Sequence, residues 1–187
     1  PREYLMISLE PASVSENKHY FVDEAGVSLI PVLGKTWAPK GKTPTVKVTG
    51  KKGGFCVTSA ISPAGRMLFR IEKERINAQV HIQFLRQMLR HHPNRKIIVV
   101  EDQARPHIAK EVKEFVEEHK KRFALYYLPP YSPHLNPDEQ VWKHLKHHKL
   151  KAHQVQSKKE FKSFLLSNMR SIQRTKPVIM SFFNGSY

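Results

Sequence analysis

The sequence predicts an α/β fold in which one mixed sheet begins with antiparallel strands and has helices on its faces. In the first 72 residues, short apolar stretches follow one another directly, with glycine- and proline-containing turns between them, as in an antiparallel meander. After about residue 76, apolar stretches of strand type alternate with longer stretches of helical periodicity. Strand–helix–strand units of this kind add parallel strands to a sheet.

Three strands and one basic connection are expected in the first half of the chain. The strands are 20–22, 55–61 and 66–71. The first leads directly into Asp23 and Glu24. Between the first two strands, residues 42–54 are rich in lysine and end in the sequence GKKGG, which is typical of a hairpin loop.

The second half of the chain alternates helices and strands. Helices are expected at 78–89, 108–118 and 158–172, and strands at 97–100 and 123–128. The strand at 97–100 is apolar throughout, which indicates burial on both faces of the sheet. A further helix should begin at Pro137, with Asn136 as its N-cap and Glu139 at its third position. Its buried face is expected to consist of Val141, Trp142 and Leu145.

Composition favours a partner that is a polyanion. The 187 residues suit one domain, and 32 basic against 16 acidic residues give a formal net charge of +16. The alternative is a soluble protein whose lysines are simply solvated. The single cysteine, Cys56, cannot form an internal disulfide, and the sequence shows neither a signal peptide nor an apolar run of membrane-spanning length.

Three acids form the candidate site. Asp23 and Asp102 each follow an apolar strand, and strand ends are where open α/β sheets bind ligands. Glu139 follows a proline-rich loop, near the positive end of a helix dipole. Three carboxylates can hold two divalent ions, which activate the attacking oxygen of phosphodiester cleavage and stabilise the departing one. Taken singly, the aspartates could be turn formers or caps, and Glu139 could complete a capping box with Asn136.

Three segments of the chain resemble the acid-bearing segments of mariner-like and related bacterial insertion-sequence transposases, which belong to the DDE superfamily of endonucleases. LPPYSPHLNPDEQVW (128–142) resembles the third-acid segment, YFVDE (20–24) the first and IIVVEDQARPH (97–107) the second. They occur in the family's order and cover about residues 18 to 150. The resemblance implies a ribonuclease-H-like (retroviral-integrase-like) fold. It divides the chain into an N-terminal segment (1–18), a catalytic domain (19–150) and a C-terminal helical tail packed on it or appended to it (151–187).

By the same resemblance, Asp23, Asp102 and Glu139 are the catalytic residues and the ligands of two Mg²⁺ (or Mn²⁺) ions. Each has an acidic neighbour, and the resemblance favours Asp102 and Glu139 over theirs, because Asp102 aligns with His107 and Glu139 with Asn136-Pro137 and Trp142. These neighbours are Glu24, Glu101 and Asp138.

The implied activity is cut-and-paste DNA transposition, in which a phosphodiester at the transposon end is hydrolysed and the freed 3′-hydroxyl attacks target DNA. The implied partners are double-stranded DNA and further copies of the chain, in a dimer or higher assembly. The expected location is the bacterial cytoplasm, with the chromosome, or the nucleus of a eukaryotic source. In the family, DNA sequence is typically read by an N-terminal helix-turn-helix pair, which this sequence does not show. The alternatives are a domesticated DNA-binding protein that does not cleave, and a structure-selective nuclease.

Basic residues near the acids are the candidate DNA contacts, since phosphate neutralisation dominates DNA affinity. They are Lys40, Lys42, Lys51 and Lys52 in the early loop, and Lys143, Lys146, His147, Lys149 and Lys151 after Glu139. His107 is either a further DNA contact or a structural hydrogen-bonding residue. His144 and His148 have helical spacing for zinc, but the sequence offers no second pair of ligands. Trp37 is either a core residue or a stacking surface.

Overall fold

A computed structural model of the protein describes residues 18–33, 37–42, 44–48, 50–73 and 75–184. The expected N-terminal segment lies outside these ranges except for its last residue.

In the described part of the chain, five strands form one mixed sheet, as the sequence predicts. They are β1 (Lys18–Ser28), β2 (Gly54–Ile61), β3 (Met67–Glu72), β4 (Ile97–Glu101) and β5 (Phe123–Tyr127). The sheet order is β3-β2-β1-β4-β5. The first three strands pair antiparallel, and β4 and β5 add in parallel beside β1. The switch from antiparallel to parallel pairing therefore occurs at β1.

The first strand is longer than expected and changes the place of Asp23. It continues to Ser28, so Asp23 lies in the middle of β1 rather than at its end. Beyond Asp23 the strand pairs with β2 alone, because its last pair with β4 joins Phe21 to Val100. Asp23 therefore lies just past the carboxyl end of β4, where one side of β1 has no neighbouring strand.

The first two strands pair antiparallel as expected, but the connection between them is longer than a hairpin turn. Residues 29–33, 37–42, 44–48 and 50–53 contain no strand, and β1 pairs with β2 directly from Ser28 and Gly54 onward. Pro31, Pro39 and Pro44 explain this, since proline lacks the amide donor that a ladder requires. Of the segment GKKGG, residues 50–53 are thus the last part of this connection, and Gly54 is the first residue of β2.

Among the residues that the structure describes, five α-helices cover the two faces of the sheet. They are α1 (Ala78–His91), α2 (Lys110–Glu118), α3 (Glu139–His144), α4 (Lys158–Arg174) and α5 (Lys176–Ser181). A 3₁₀ turn (Pro133–Leu135) precedes α3, and a π-helical turn (Leu145–Lys149) follows it. Side-chain caps define two helix starts: Asn77 accepts from the amide of Val80, and Ser157 from that of Glu160.

Two apolar cores fill the space between sheet and helices. The first lies under α1 and α2 and contains Tyr20, Val22, Phe84, Phe115 and other residues. The second lies on the opposite face, where residues of α3, α4 and α5 pack together against β2 and β3. Side chains of the C-terminal tail are thus part of the second core, as their apolar periodicity requires. No helix among the described residues is long and apolar enough to cross a membrane.

Candidate active site

Asp23, Asp102 and Glu139 line one open pocket of about 440 Å³. They come from three elements: the middle of β1, the loop after β4, and the start of α3. Much of the remaining wall is the proline-rich segment 128–133. The structure therefore brings together the three acids that the sequence singles out.

The Asp23 carboxylate is held by a hydrogen bond from a residue of α3. Side chains alternate along β1, so Asp23 faces the same core as Val27, while Val22 and Glu24 face α1 and α2. The indole Nε1 of Trp142 donates to Asp23 Oδ2 at 2.9 Å. Burial, and then the charge of Glu139, raises the pKa of Asp23 to about 7.

Asp102 is the first residue after β4, and its side chain is 54% exposed. Its Oδ1 accepts from the backbone amide of Ala104 at 2.9 Å and from His107 Nδ1 at 2.7 Å. The His107 hydrogen bond outweighs the effect of burial and keeps the pKa of Asp102 below its usual value. Asp102 therefore loses its proton at a lower pH than Asp23 does.

Glu139 is the first residue of α3, so the helix begins two residues later than expected. Asn136 has extended backbone and its Oδ1 accepts from the amide of Asp138 at 3.2 Å, which makes it the cap of a tight turn rather than of the helix. Its Nδ2 also donates to the carbonyl of Val22 at 3.1 Å. Asn136 thereby ties the proline-rich loop to β1 beside Asp23, and so places Glu139 at the pocket.

The acidic neighbours of the three acids all have partners away from the pocket. By strand alternation Glu24 and Glu101 point toward α1, where Glu24 contacts His107 and Glu101 lies beside His81. Asp138 is fully buried, with both carboxylate oxygens 2.7 Å from the Ser59 hydroxyl. Burial, and then the charge of Asp23, raises its pKa well above the usual value. The pocket is therefore lined by Asp23, Asp102 and Glu139, and none of the three acidic neighbours is part of its lining.

The side chain of His107, a candidate DNA contact in the sequence, is completely buried in the structure. Its Nε2 lies 2.7 Å from Glu24 Oε2 and its Nδ1 lies 2.7 Å from Asp102 Oδ1. Burial lowers the pKa of His107, but the hydrogen bonds to the two carboxylates outweigh it and raise the pKa to about 11. In the structure His107 therefore has the contacts of a structural hydrogen-bonding residue.

His81, Glu101 and His107 form a buried cluster that sequence reasoning missed. Each offers a nitrogen or oxygen within 4.8 Å of the others, and His81 Nε2 lies 3.1 Å from Glu101 Oε2. The alternation of β4 was the available signal, since it puts Glu101 on the same face as Ile97 and Val99, beneath α1. His81 is the charged-pair neighbour of this buried acid, although no hydrogen bond is formed by either side chain in the described structure.

The candidate DNA contacts other than His107 lie at the surface or partly exposed. Lys40, Lys42, Lys51, Lys52, Lys143, His147 and Lys151 are exposed, and Lys146 and Lys149 are half-buried. Lys143 lies one helical turn after Glu139, on the same side of α3. Trp37 is fully exposed, so it is not a core residue. His144 and His148 have ring centroids 5.2 Å apart, but among the described residues they belong to no group of three potential metal ligands.

Comparison with known proteins identifies the family. The sequence profile of the DDE superfamily endonucleases matches residues 18–162. No curated protein matches the chain.

Solved structures of the Mos1 mariner transposase share the fold. Its paired-end complex with Mn is 19% identical, with a TM-score of 0.70 over 91% of this chain and 52% of that chain. Its strand transfer complex is 19% identical, with a TM-score of 0.66 over 89% of this chain and 51% of that chain. Its catalytic domain is 15% identical, with a TM-score of 0.62 over 90% of this chain and 76% of that chain.

The chain spans about half the length of the Mos1 chains in the two complexes, and at these identities the likeness is one of fold. It confirms the expected ribonuclease-H-like architecture. The profile match extends from the first strand to the start of α4 and thus includes all three pocket acids. This chain belongs to the DDE superfamily of endonucleases.

Proposed function

We propose that this chain is the catalytic domain of a DNA transposase, which hydrolyses a phosphodiester at a transposon end and joins the freed 3′-hydroxyl to target DNA. The main support is the convergence of three carboxylates from separate elements on one open pocket in a strongly basic protein. Mos1, whose fold the chain shares, has been solved in paired-end and strand transfer complexes.

The pocket fits divalent cations. Its donors are carboxylate oxygens, which Mg²⁺ and Mn²⁺ prefer. The charge of Glu139 contributes to the raised pKa of Asp23, so the two acids repel each other, and a bound cation would relieve that repulsion. Two such ions, when bound, would supply the positive charge that stabilises the attacking and departing oxygens of a phosphodiester.

The protein's own residues would hold the ions and the DNA in place. Trp142 orients the Asp23 carboxylate, and Asn136 anchors the loop before Glu139 to the same strand. The pocket is open to solvent, which a polymeric substrate requires. Lys143, one turn beyond Glu139, is placed to contact a phosphate of DNA in the pocket.

The proposal includes an assembly and a location. Strand joining needs two DNA ends near one target, so we propose that at least two copies of the chain act together on DNA. Such an enzyme would act where chromosomal DNA is, in bacterial cytoplasm or in a nucleus.

Cleavage of labelled duplex DNA tests the proposal. The wild-type protein and Asp102→Asn are compared with Mg²⁺, Mn²⁺ or EDTA, on DNA that includes branched and hybrid substrates. Nicking or joining that requires the metal and disappears in Asp102→Asn supports a transposase. Cleavage of junctions alone, without joining, would instead indicate a structure-selective nuclease. Equal DNA binding by both proteins with no cleavage under any condition would indicate a binding protein that does not cut.

A further inference from the structure

Of the three pocket acids, Asp102 is the one whose side-chain position is least fixed by its own secondary-structure element. Asp23 lies inside a strand and Glu139 inside a helix, whereas Asp102 follows the last residue of β4 and its side chain is 54% exposed. In the described structure, the Asp102 carboxylate accepts hydrogen bonds only from the amide of Ala104 and the ring of His107. An exposed side chain held by one backbone amide can still change rotamer. The position of the Asp102 carboxylate therefore depends on His107.

The ring and backbone of His107 are themselves held by several contacts. It is fully buried, and its centroid lies 4.4 Å from that of His81. Its backbone amide donates to the carbonyl of Ala104 at 2.9 Å, and its carbonyl accepts from the hydroxyl of Tyr127 at 3.0 Å. Each ring nitrogen lies against a carboxylate oxygen, so both nitrogens donate a hydrogen bond. Only the imidazolium form of histidine has two donors. His107 thus offers Asp102 a rigid donor.

Glu24 completes the connection to β1. Its carboxylate, 24% exposed, accepts from His107 Nε2 at 2.7 Å on the face of the sheet opposite to Asp23. Asp23 and Glu24 are adjacent, so one strand carries a pocket acid on one face and the anchor of His107 on the other. The hydrogen bonds from Glu24 through His107 to Asp102 therefore join the loop after β4 to the strand that bears Asp23.

We propose that His107, anchored by Glu24, is a positioning residue that fixes the Asp102 carboxylate toward the pocket and so sets the affinity of the pocket for divalent metal. This inference rests on the proposed function, because it assigns Asp102 as a metal ligand. It explains why an acid follows Asp23 directly. Partners in the second coordination shell orient a ligand, and their loss commonly weakens metal binding by about 10- to 100-fold.

A different use of the same residues is a second ion held by His81, Glu101 and His107. To bind it, His107 would have to give up a hydrogen bond to either Glu24 or Asp102, since both ring nitrogens already have a carboxylate within 2.7 Å. The observed contacts therefore favour the positioning role over an ion in this cluster.

Mn²⁺ titration followed by Trp142 fluorescence tests the inference. Mn²⁺ quenches nearby indoles, and Trp142 donates directly to Asp23. The fully exposed Trp37 is replaced by phenylalanine in every protein, so that Trp142 is the only tryptophan, and it is excited selectively over the tyrosines. His107→Ala and Glu24→Ala should each weaken the apparent Mn²⁺ affinity by about 10- to 100-fold. Glu24→Gln should restore most of it, because an amide oxygen still accepts from His107 Nε2.

His153→Ala is the matched control. His153 is also a buried histidine, but it packs on Phe161 on the other face of the sheet. Its loss should lower stability and leave Mn²⁺ affinity unchanged. If His107→Ala does not fold, the comparison of Glu24→Ala with Glu24→Gln decides the question alone.

The outcomes separate this inference from the proposed function. If Asp102→Asn weakens Mn²⁺ binding but the His107 and Glu24 variants bind as tightly as the parent, the positioning role of His107 is wrong, while the assignment of the pocket as the metal site is retained. If the parent does not bind Mn²⁺, or if Asp102→Asn binds it equally well, both the positioning role of His107 and the proposed metal site in the pocket are wrong. Mn²⁺ affinity that falls in His81→Ala while it is retained in Asp102→Asn would place the ion in the buried cluster and overturn the positioning role.

Discussion

At the scale of single residues, the pocket acids differ in how readily they ionise. Asp23 has a pKa of about 7 in the folded protein against 3.8 as its ordinary value. Because the folded state binds this proton more tightly, the group adds stability below the lower value, and that contribution is lost as pH rises through about 7. Ionised Asp23 therefore costs stability in the metal-free protein, and a bound cation would offset the cost.

Metal binding should consequently strengthen with pH. A cation binds the carboxylate, so Asp23 must release its proton. Mn²⁺ affinity, measured by the Trp142 titration or by calorimetry, should rise by about tenfold per pH unit below about pH 7 and level off above it. Calorimetry in buffers of different ionisation enthalpy should show release of a proton near neutral pH. Affinity that does not vary between about pH 6 and 8 would contradict the raised pKa of Asp23.

Asp138 should contribute to stability rather than to ligand binding. It is fully buried, and its carboxylate accepts from the Ser59 hydroxyl and from the backbone amide of Asp23. Asp138→Ala leaves these donors unpaired and should lower the free energy of unfolding by about 1 to 3 kcal/mol. Asp138→Asn keeps one acceptor and should lower it less. Urea denaturation measures both, and equal losses in the two variants would show that the hydrogen bonds are unimportant.

At the scale of elements, α4 should be essential to the fold although it begins after the predicted catalytic segment. Leu165 is completely buried, in the same core as Trp142 and Phe55. Leu165→Ala should therefore reduce the free energy of unfolding by about 2 to 5 kcal/mol. Lys162→Ala, at an exposed position of the same helix, is the control and should change it little. A loss at Leu165 no larger than at Lys162 would mean that α4 is only appended.

The helix that begins at Glu139 should also provide a DNA contact. If Lys143 binds a phosphate, Lys143→Ala should weaken DNA binding for all sequences alike. It should also reduce the slope of log affinity against log salt by about 0.9. Lys113→Ala on α2 removes an exposed charge from the opposite face of the sheet. Fluorescence anisotropy over a range of salt compares the two, and equal slopes would exclude a contact at Lys143.

Element types were predictable from the sequence because periodicity is a local property. The helical spacing of 78–89 and the apolar run at 97–100 lie within the observed α1 and β4. The extent of β1 was not predictable, because residues 25–28 pair with β2 through contacts distant in sequence. The delayed start of α3 has a similar cause: the tight turn depends on Asn136 bonding to Val22.

The three pocket acids were predictable, while their supporting residues were only partly so. Asp23, Asp102 and Glu139 were identifiable because each lies next to a recognisable strand or loop. His81 looks like an ordinary helix residue in the sequence, and only the fold places it on His107. The roles of Glu24 and Glu101 follow from strand alternation, but only once the strands and their faces are known.

At the scale of the whole molecule, the residues that support the pocket acids lie in a different part of the fold from the pocket itself. The face under α1 contains Glu24, Glu101, His81 and His107, whereas the pocket acids meet beyond the end of β4. The second core, under α3 to α5, holds Trp142 against Asp23. Both faces of the sheet therefore contribute to a site at its edge, which is where parallel strands of α/β sheets bind ligands.

The most direct test of this arrangement is anomalous diffraction from crystals of the protein grown with Mn²⁺. The account predicts anomalous peaks between Asp23, Asp102 and Glu139, and their loss in Asp102→Asn. Their number would decide between one ion and two. Absence of Mn²⁺ from this pocket, or a peak confined to His81, Glu101 and His107, would contradict the central claim that the three carboxylates form the metal site.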